Sequence, residues 1–456
     1  MTDTCQRLAE LAVAADACEG LELEEMDERC LEVVAKDGGL GGAVYELAER
    51  YVRTAGERVG YARTENVDET LEDLVAEAVA QSGTVDRSEP AGVLVSPVGE
   101  QASGMPEATP LPQAADLACV ARRAVELLEG RSSNCRAVEC AVRVVDQRRL
   151  VSNSLGLSRA ATHRHAMVRL SYIAVGEREM HNVFVRGYAP EADQVDLDEL
   201  AGRALGIGEG SLDGGTIEGG SYPVVLSREV VCQMLVGFWQ LFSGEKIATG
   251  QSWLSGRMGE QVGSDALTIS AFSEARWGAP GCLSVDAQGV DRVSRDLVSA
   301  GRLVSALTNA EWAGELGLDG SLGDADRRDS LGRIVPNDMA VVPGCLCVAP
   351  GEDSLEALLA KMGEGVYITD ISDIYHSFNL ASGGISTPVR GVRVREGRLA
   401  EPLSALSITD NLKDLFKNVV ACGNALSWCD LEDLNAYWCG VPDVYVSSMG
   451  LVGAVE

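Results

Sequence analysis

The chain is poor in histidine, with four in 456 residues, at positions 163, 165, 181 and 376. Imidazole base catalysis and imidazole ligation of zinc are therefore confined to those places. Basic residues are also scarce: 38 Lys and Arg stand against 69 Asp and Glu, and the net charge of −31 repels phosphate backbones and anionic bilayers. Neither nucleic acid nor a membrane surface is an expected ligand. No stretch reaches the roughly 18 apolar residues of a membrane span. The opening "MTDTCQRLAELAVAADACEG" is acidic and amphipathic, unlike a basic leader before an apolar core. A cytoplasmic protein is the expectation. The thirteen cysteines, an odd number scattered among apolar positions, point to reduced and mostly buried thiols. Cys345 and Cys347 form a CxC that lacks a second such pair to complete a four-ligand zinc site, and they read better as two strand positions.

What is present is length enough for two or three units with real cores. Residues 5–17 read as a helix, and "LELEEMDERCLEVVAKDGGL" alternates like a strand hairpin with a Gly-rich turn. More extended chain follows around "ERYVRTAGERVGYARTEN", then a helix through "ETLEDLVAEAVAQ" capped by Asn66 or Asp68. Residues 84–110, rich in Pro, Ser and Gly, read as a linker or long loop, and 111–129 as a helix. Period-two runs from Cys135 to Tyr188 predict an antiparallel meander, closed by a short helix near "LDELAGRALGIG" and a Gly-rich boundary at 209–221. The division expected is an N-terminal α/β subdomain (1–83), the linker (84–110), a helix-plus-meander subdomain (111–221) and a β-rich, barrel-like C-terminal domain (222–456) with one long helix. The fold class is α+β.

Within "PVVLSREVVCQMLVGFWQLFSGE" a buried strand breaks into that helix. Ser227 stands where an N-cap belongs and Glu229 complements the positive helix end, while Val230, Val231, Met234, Leu235, Phe238, Leu241 and Phe242 recur at core spacing. A metalloprotease helix would present two histidines flanking a glutamate, and none is here. The helix is expected to stop at a Ser-Gly-Glu turn with Gly244 left-handed ahead of Glu245. His163 and His165, two apart in a predicted strand, face one way: they offer either a chelating pair or a polar strand face beside Arg159, Arg164 and Arg169. His181 reads as a surface or turn residue. His376, with Ser377 and Asn379, lies in the Gly-rich loop "TDISDIYHSFNLASGGIS", suited to a peptide backbone or to hydrogen bonds within the loop. Cys422 has no nearby cation to activate it and reads as an inert thiol. The word "GLGGAV" lacks the partners of a dinucleotide site and reads as a turn.

Two ordered blocks, "YPVVLSREVVCQMLVGFWQLFSGEKIATGQSWLSGRMGEQV" and "GVYITDISDIYHSFNLASGGISTPVRGVRVREGRLAEPLSALSITDNLKDLF", closely resemble the TldD/PmbA family, also labelled modulators of DNA gyrase. Weaker similarity at "LEVVAKDGG", "GERVGYARTENVDETLEDLVAEAV" and "VSNSLGLSRA" extends it over nearly the whole chain. The resemblance implies an N-terminal α/β part and a β-rich C-terminal part walling a cavity. In that family the TldD type carries HExxxH on the helix after the "PVVL"-like strand, with a downstream cysteine completing the zinc site. The PmbA (TldE) type lacks the motif. Here the motif position falls on Val236 to Leu241, "VGFWQL", and the cysteine position on Cys422, a vestigial ligand position. Departures occur at "SVDAQGV", where a paired-acid word is expected, and at "GRIVPND".

The resemblance implies a non-catalytic subunit that binds no metal itself, zinc belonging to a TldD-type protease partner in a cytosolic heterodimer acting on peptides. His376, Ser377 and Asn379 would line the peptide path, or an exposed strand edge would take an extended peptide. Two rivals stand beside this: an independent metallohydrolase using His163 and His165, and a homodimeric peptide-binding scaffold.

Overall fold

The computed structural model describes residues 2–453 except 16–17, 67, 84–91, 211, 275, 319, 328–338, 375 and 431–437. Strands β1 (Gly20–Lys36) and β2 (Gly39–Ala55) join through Asp37 and Gly38, both at positive φ (51° and 73°). A two-residue turn of that hand matches the right-handed twist of the ladder, and Gly38 adopts it without a Cβ clash. "GLGGAV", expected as a turn, lies in β2, because the reversal is completed by the two residues before it. With β3 (Tyr61–Thr64), β4 (Cys135–Asn153), β5 (Ser158–Val175) and β6 (Met180–Ala189) the hairpin forms a six-stranded sheet, β3-β2-β1-β4-β5-β6, with antiparallel neighbours. The expected meander is β4-β5-β6. β1 also pairs with β4, so stretches 1–83 and 111–221 contribute to a single sheet.

Alternate residues of β1 point to opposite faces. Leu21, Leu23, Leu31, Val33 and Ala35 meet the helices α1 (Asp3–Ala15), α2 (Leu71–Ser82), α3 (Ala114–Arg131) and α4 (Leu197–Gly210). The cap of α2 is Thr70, whose hydroxyl accepts the Asp73 N–H at 3.2 Å. Asn66 and Asp68, expected in that role, instead close the preceding turn, Asn66 accepting the Asp68 N–H at 3.1 Å. Residues 84–91 of the expected linker lie outside the described residues. The rest is a strap bonded to the sheet: Asn153 Nδ2 donates to the Val95 carbonyl at 2.7 Å, Ser158 Oγ to Ala102 at 2.8 Å and Arg164 to Pro110 at 2.7 Å.

The other face of β1 meets the C-terminal part, and there Glu22 and Glu24 are buried. An unpaired buried carboxylate costs several kcal/mol, so each has cations. Arg53 reaches Glu22 at 3.2 Å and also Glu311, Arg327 reaches Glu24 at 2.6 Å, and Arg149 bridges Glu24 (2.8 Å) and Asp326 (2.9 Å). Met26 and Ala161 pack on Leu283 and Val285 beside them.

The C-terminal part contains β7 (Gly220–Leu226), α5 (Arg228–Phe238), α6 (Gly244–Ala248), β8 (Ile269–Phe272), β9 (Arg295–Ser299), β10 (Arg302–Leu303), α7 (Ala310–Glu315), β11 (Ala325–Asp326), β12 (Ala340–Val341), β13 (Cys345–Val348), α8 (Leu355–Met362), β14 (Gly365–Ile371), β15 (Gly384–Arg395), β16 (Arg398–Asn411), α9 (Leu412–Asn418), β17 (Val419–Asp430) and β18 (Trp438–Gly453). Its ten-stranded sheet runs β10-β9-β8-β13-β18-β16-β15-β14-β7, with β17 on β18 and a further β18–β7 pairing. That pairing closes β18, β16, β15, β14 and β7 into a ring, the barrel-like element of an α+β fold. Gly244 is not left-handed: it opens α6, so the Ser-Gly-Glu word begins a helix after a 3-10 turn over 239–242. Cys345 and Cys347 are buried on β13. The expectation of thiols throughout fails at one pair, since Cys232 of α5 is disulfide-bonded to Cys429 of β17; the other eleven carry no disulfide.

Candidate functional site

The turn from β7 into α5 is fixed on three sides. β7 runs parallel to β14 and antiparallel to β18. Ser227 N–H donates to the Ile368 carbonyl at 2.9 Å, and Ser227 Oγ accepts the Val230 N–H at 3.3 Å, the expected cap. Val230, Val231, Met234, Leu235 and Phe238 enter the core, also as expected. Phe238 stands edge-on to Phe378 and Phe416, each with ring centroids 5.8 Å away, and Trp239, Leu241 and Phe242 are buried. The segment 236–241 therefore packs as core. It offers no imidazole or carboxylate.

Against its C-terminal half lies the loop that carries His376, Ser377 and Asn379. Gly237 permits the approach: a Cβ there would sit 2.4 Å from the Phe378 ring and 3.0 Å from the Ile374 carbonyl. His376 is 83% exposed at its side chain, with Nδ1 2.8 Å from Asp373 Oδ1. Ser377 is buried and donates to the Asp373 carbonyl at 2.5 Å. Asn379 is exposed, its side-chain oxygen accepting the Ser382 N–H at 2.9 Å. Cys422 joins the same apolar cluster as α5. Its thiol lies 3.8 Å from the Ala266 carbonyl, and burial pushes its pKa up to about 12, leaving it protonated at neutral pH.

The other histidines are elsewhere. His163 and His165 share a face, and it is buried: their rings stack at 5.2 Å, and His165 meets Trp438 edge-on at 4.9 Å. That face turns toward the C-terminal part, which desolvates it. Burial lowers both pKa values, that of His163 to about 4, so both are neutral at pH 7. Of the arginines expected beside them, Arg164 belongs to the opposite face of β5, bonded to the strap, and Arg159 and Arg169 pair with Asp291 and Glu139. His181 is in β6 and mostly buried, not on a surface turn, with Nε2 3.3 Å from Asp370 Oδ2. Among the described residues no three His, Cys, Asp or Glu side chains are grouped to hold a metal ion. No helix of the described residues is long and apolar enough to cross a membrane.

Sequence reasoning did not find the cleft between the two parts. It is a cavity of about 210 Å³ lined by Arg186, Tyr188, Gln194, Arg203, Ser427 and Trp428, among others. Arg203 fixes its floor, donating to Glu229 (2.9 Å), Ser427 Oγ (2.9 Å) and the Arg186 carbonyl (2.7 Å). Glu229, expected to serve the helix end, thus ties α5 to α4 and β17 as well. No local pattern signals a cleft whose walls, β6 and β17, are so distant in sequence.

Residues 219–453 match the model of the PmbA/TldA metallopeptidase C-terminal domain. The chain is 26% identical over 231 residues to Metalloprotease PmbA of Escherichia coli O157:H7, covering 51% of this chain and 46% of that protein. It is 30% identical over 186 residues to a Metalloprotease of Methanothermobacter thermautotrophicus, covering 39% and 37%. The chain thus matches less than half the length of these relatives. In fold it resembles TldE of Thermococcus kodakarensis, with a TM-score of 0.82 at 16% identity over 99% of both chains.

Proposed function

The chain belongs to the PmbA/TldD family, and from that premise we propose that it is a non-catalytic, TldE-type subunit of a cytoplasmic metalloprotease assembly that processes peptides. The observation that carries the reading is α5. Where the resembled zinc motif would lie, Val236 to Leu241 supply a glycine against Phe378 and three side chains in the core. A water needs a metal and a carboxylate base to become a nucleophile at neutral pH, and this segment has neither ligand nor base. Cys422, at the remaining ligand position, is a buried thiol held protonated. Zinc and catalysis are then the property of a TldD-type partner, and this chain contributes cavity wall. The exposed His376 and Asn379 are available to a peptide on that wall, while Ser377 shapes the loop from within. A strand edge such as that of β2 before Arg50, where β3 pairing begins, is available to an extended peptide.

The rival metallohydrolase draws little from His163 and His165, whose rings are enclosed between the two parts. Metal analysis and peptidase assay of the isolated chain test the proposal, together with affinity purification from the native host. Expected are no bound zinc, no cleavage alone, and co-purification with an HExxxH-bearing chain. Cleavage by the isolated chain, abolished by a chelator and restored by zinc, overturns it. Recovery only as a homodimer supports the scaffold reading instead.

A further inference from the structure

We propose that the Cys232–Cys429 disulfide is a thiol-exchange site that latches one wall of the cleft, so that a small dithiol or a dithiol oxidoreductase controls the mobility of β17. Eleven of the thirteen cysteines carry no disulfide, and Cys30, Cys140, Cys345, Cys347 and Cys422 are buried thiols whose pKa values burial raises. Such thiols are poor nucleophiles. The disulfide differs in placement. It joins α5, in the centre of the C-terminal core, to the segment of β17 that directly follows the cleft residues Leu426, Ser427 and Trp428.

This tie bears on β17. That strand pairs with β18 on one edge; among the described residues no named strand lies on its other edge, where the single bridge to Asp353 is made by Gly423. Its register breaks between Cys422 and Leu426, where Gly423 and Asn424 leave the β18 ladder and bond instead to Gly351 and Asp353, each at 2.8 Å. Beyond that break the wall is held by the short ladder from Leu426 to Asp430, by Ser427 on Glu229 (3.1 Å) and Arg203, by Trp428, whose indole N–H donates to the Trp277 carbonyl (3.3 Å) and whose ring meets Phe272 edge-on, and by the disulfide.

The two sulfurs are unequal in access. Cys232 is buried and Cys429 is partly exposed, so an incoming thiolate meets Cys429. Its attack forms a mixed disulfide at Cys429 Sγ and breaks the Cys232–Cys429 bond, whose electron pair leaves on Cys232 Sγ and takes up a proton. The second thiol of the reductant then attacks its own sulfur in the mixed disulfide and expels Cys429 as a thiol. The dithiol is oxidised to a disulfide, the protein disulfide is reduced to two thiols, and the reverse reaction with an oxidised dithiol restores the latch. A third thiol, Cys439, stands directly opposite Cys429 in the β17–β18 register, and Cys232 Sγ lies 3.5 Å from its carbonyl.

The test uses the full chain. After oxidised glutathione and removal of the reagent, thiols titrated in denaturant should number eleven, rising to thirteen with dithiothreitol, with peptide mapping assigning the lost pair to Cys232 and Cys429. Amide exchange of residues 426–430 should be about tenfold faster in the reduced protein. Cys429→Ser should exchange at the fast rate in both conditions, whereas Cys119→Ser, which removes the exposed thiol of α3, should follow the wild type. Thirteen thiols after oxidation, a different mapped pair, or equal exchange in oxidised and reduced wild type overturns the proposal. The wild-type comparison needs no variant to fold.

Discussion

Gly237 and Phe378 occupy each other's space: the α5 backbone approaches the ring so closely that one added carbon would lie 2.4 Å from it. Gly237→Ala should therefore destabilise. Alanine is favoured over glycine in a helix by about 1 kcal/mol, but overpacking costs about 1–3 kcal/mol, and the Ile374 carbonyl blocks the other escape. The net loss expected in denaturant unfolding is on the order of 1 kcal/mol. Faster proteolysis within residues 372–383 should accompany it.

His163 and His165 make stability fall on acidification. Their folded pKa values lie below the ordinary 6.5, that of His163 at about 4. Above 6.5 neither state binds the proton. Between 6.5 and about 4 the unfolded chain binds it and the folded chain does not, so stability is lost as pH falls through that window. Buried Asp286 (about 7) and Asp443 (about 6) and half-buried Asp370 (about 6) act in the opposite sense, because their pKa values are raised and the folded state takes up protons first. The test is thus a difference. Replacing both histidines by glutamine should remove a slope of up to about 1.4 kcal/mol per pH unit per histidine, read from urea midpoints across the window.

Arg149 neutralises Glu24 and Asp326 in a site closed to solvent. Arg149→Met should cost about 3–5 kcal/mol, because it leaves buried carboxylates short of a cation. Arg395→Met breaks an ion pair with Glu401 in which both side chains are more than half exposed. Solvent screens that pair, so the substitution should barely move the unfolding midpoint. Similar losses from the two substitutions in thermal or denaturant unfolding would contradict this account.

Cys422 should resist alkylation of the native protein at mildly alkaline pH, since burial both blocks it and holds its thiol near a pKa of 12. Cys119, exposed on α3, should react under the same conditions. Peptide mass spectrometry after a timed pulse of iodoacetamide distinguishes the two.

Much of the scaffold was legible because local chemistry decided it. "KDGG" could only reverse the chain, the alternation of β4 to β6 set a meander, and Ser227 with the 3.6-residue spacing after it set α5. The cap of α2 was misplaced because Asn66, Asp68 and Thr70 all carry suitable acceptors, and only tertiary placement chooses among them. Burial of His163 and His165 was illegible for a different reason: alternation says that they share a face, not what covers it. The same holds for Glu22 and Glu24, whose arginine partners come from 53, 149 and 327. Cys232 and Cys429, 197 residues apart, carry no pairing signal in one sequence. Of the candidate site, α5 and its loop were visible as separate words, and Gly237 is the residue whose smallness could have hinted that they touch.

The ring in the C-terminal part joins its first strand to its last, with Val224 on Val446 and Gly220 on Leu451. On the ribosome, β7 emerges long before the strand that will flank it, so the barrel cannot shut until β18 has left the exit tunnel. Its hydrophobic lining stays open from the emergence of β7 until that of β18, which makes closure of this half the expected slow step in folding.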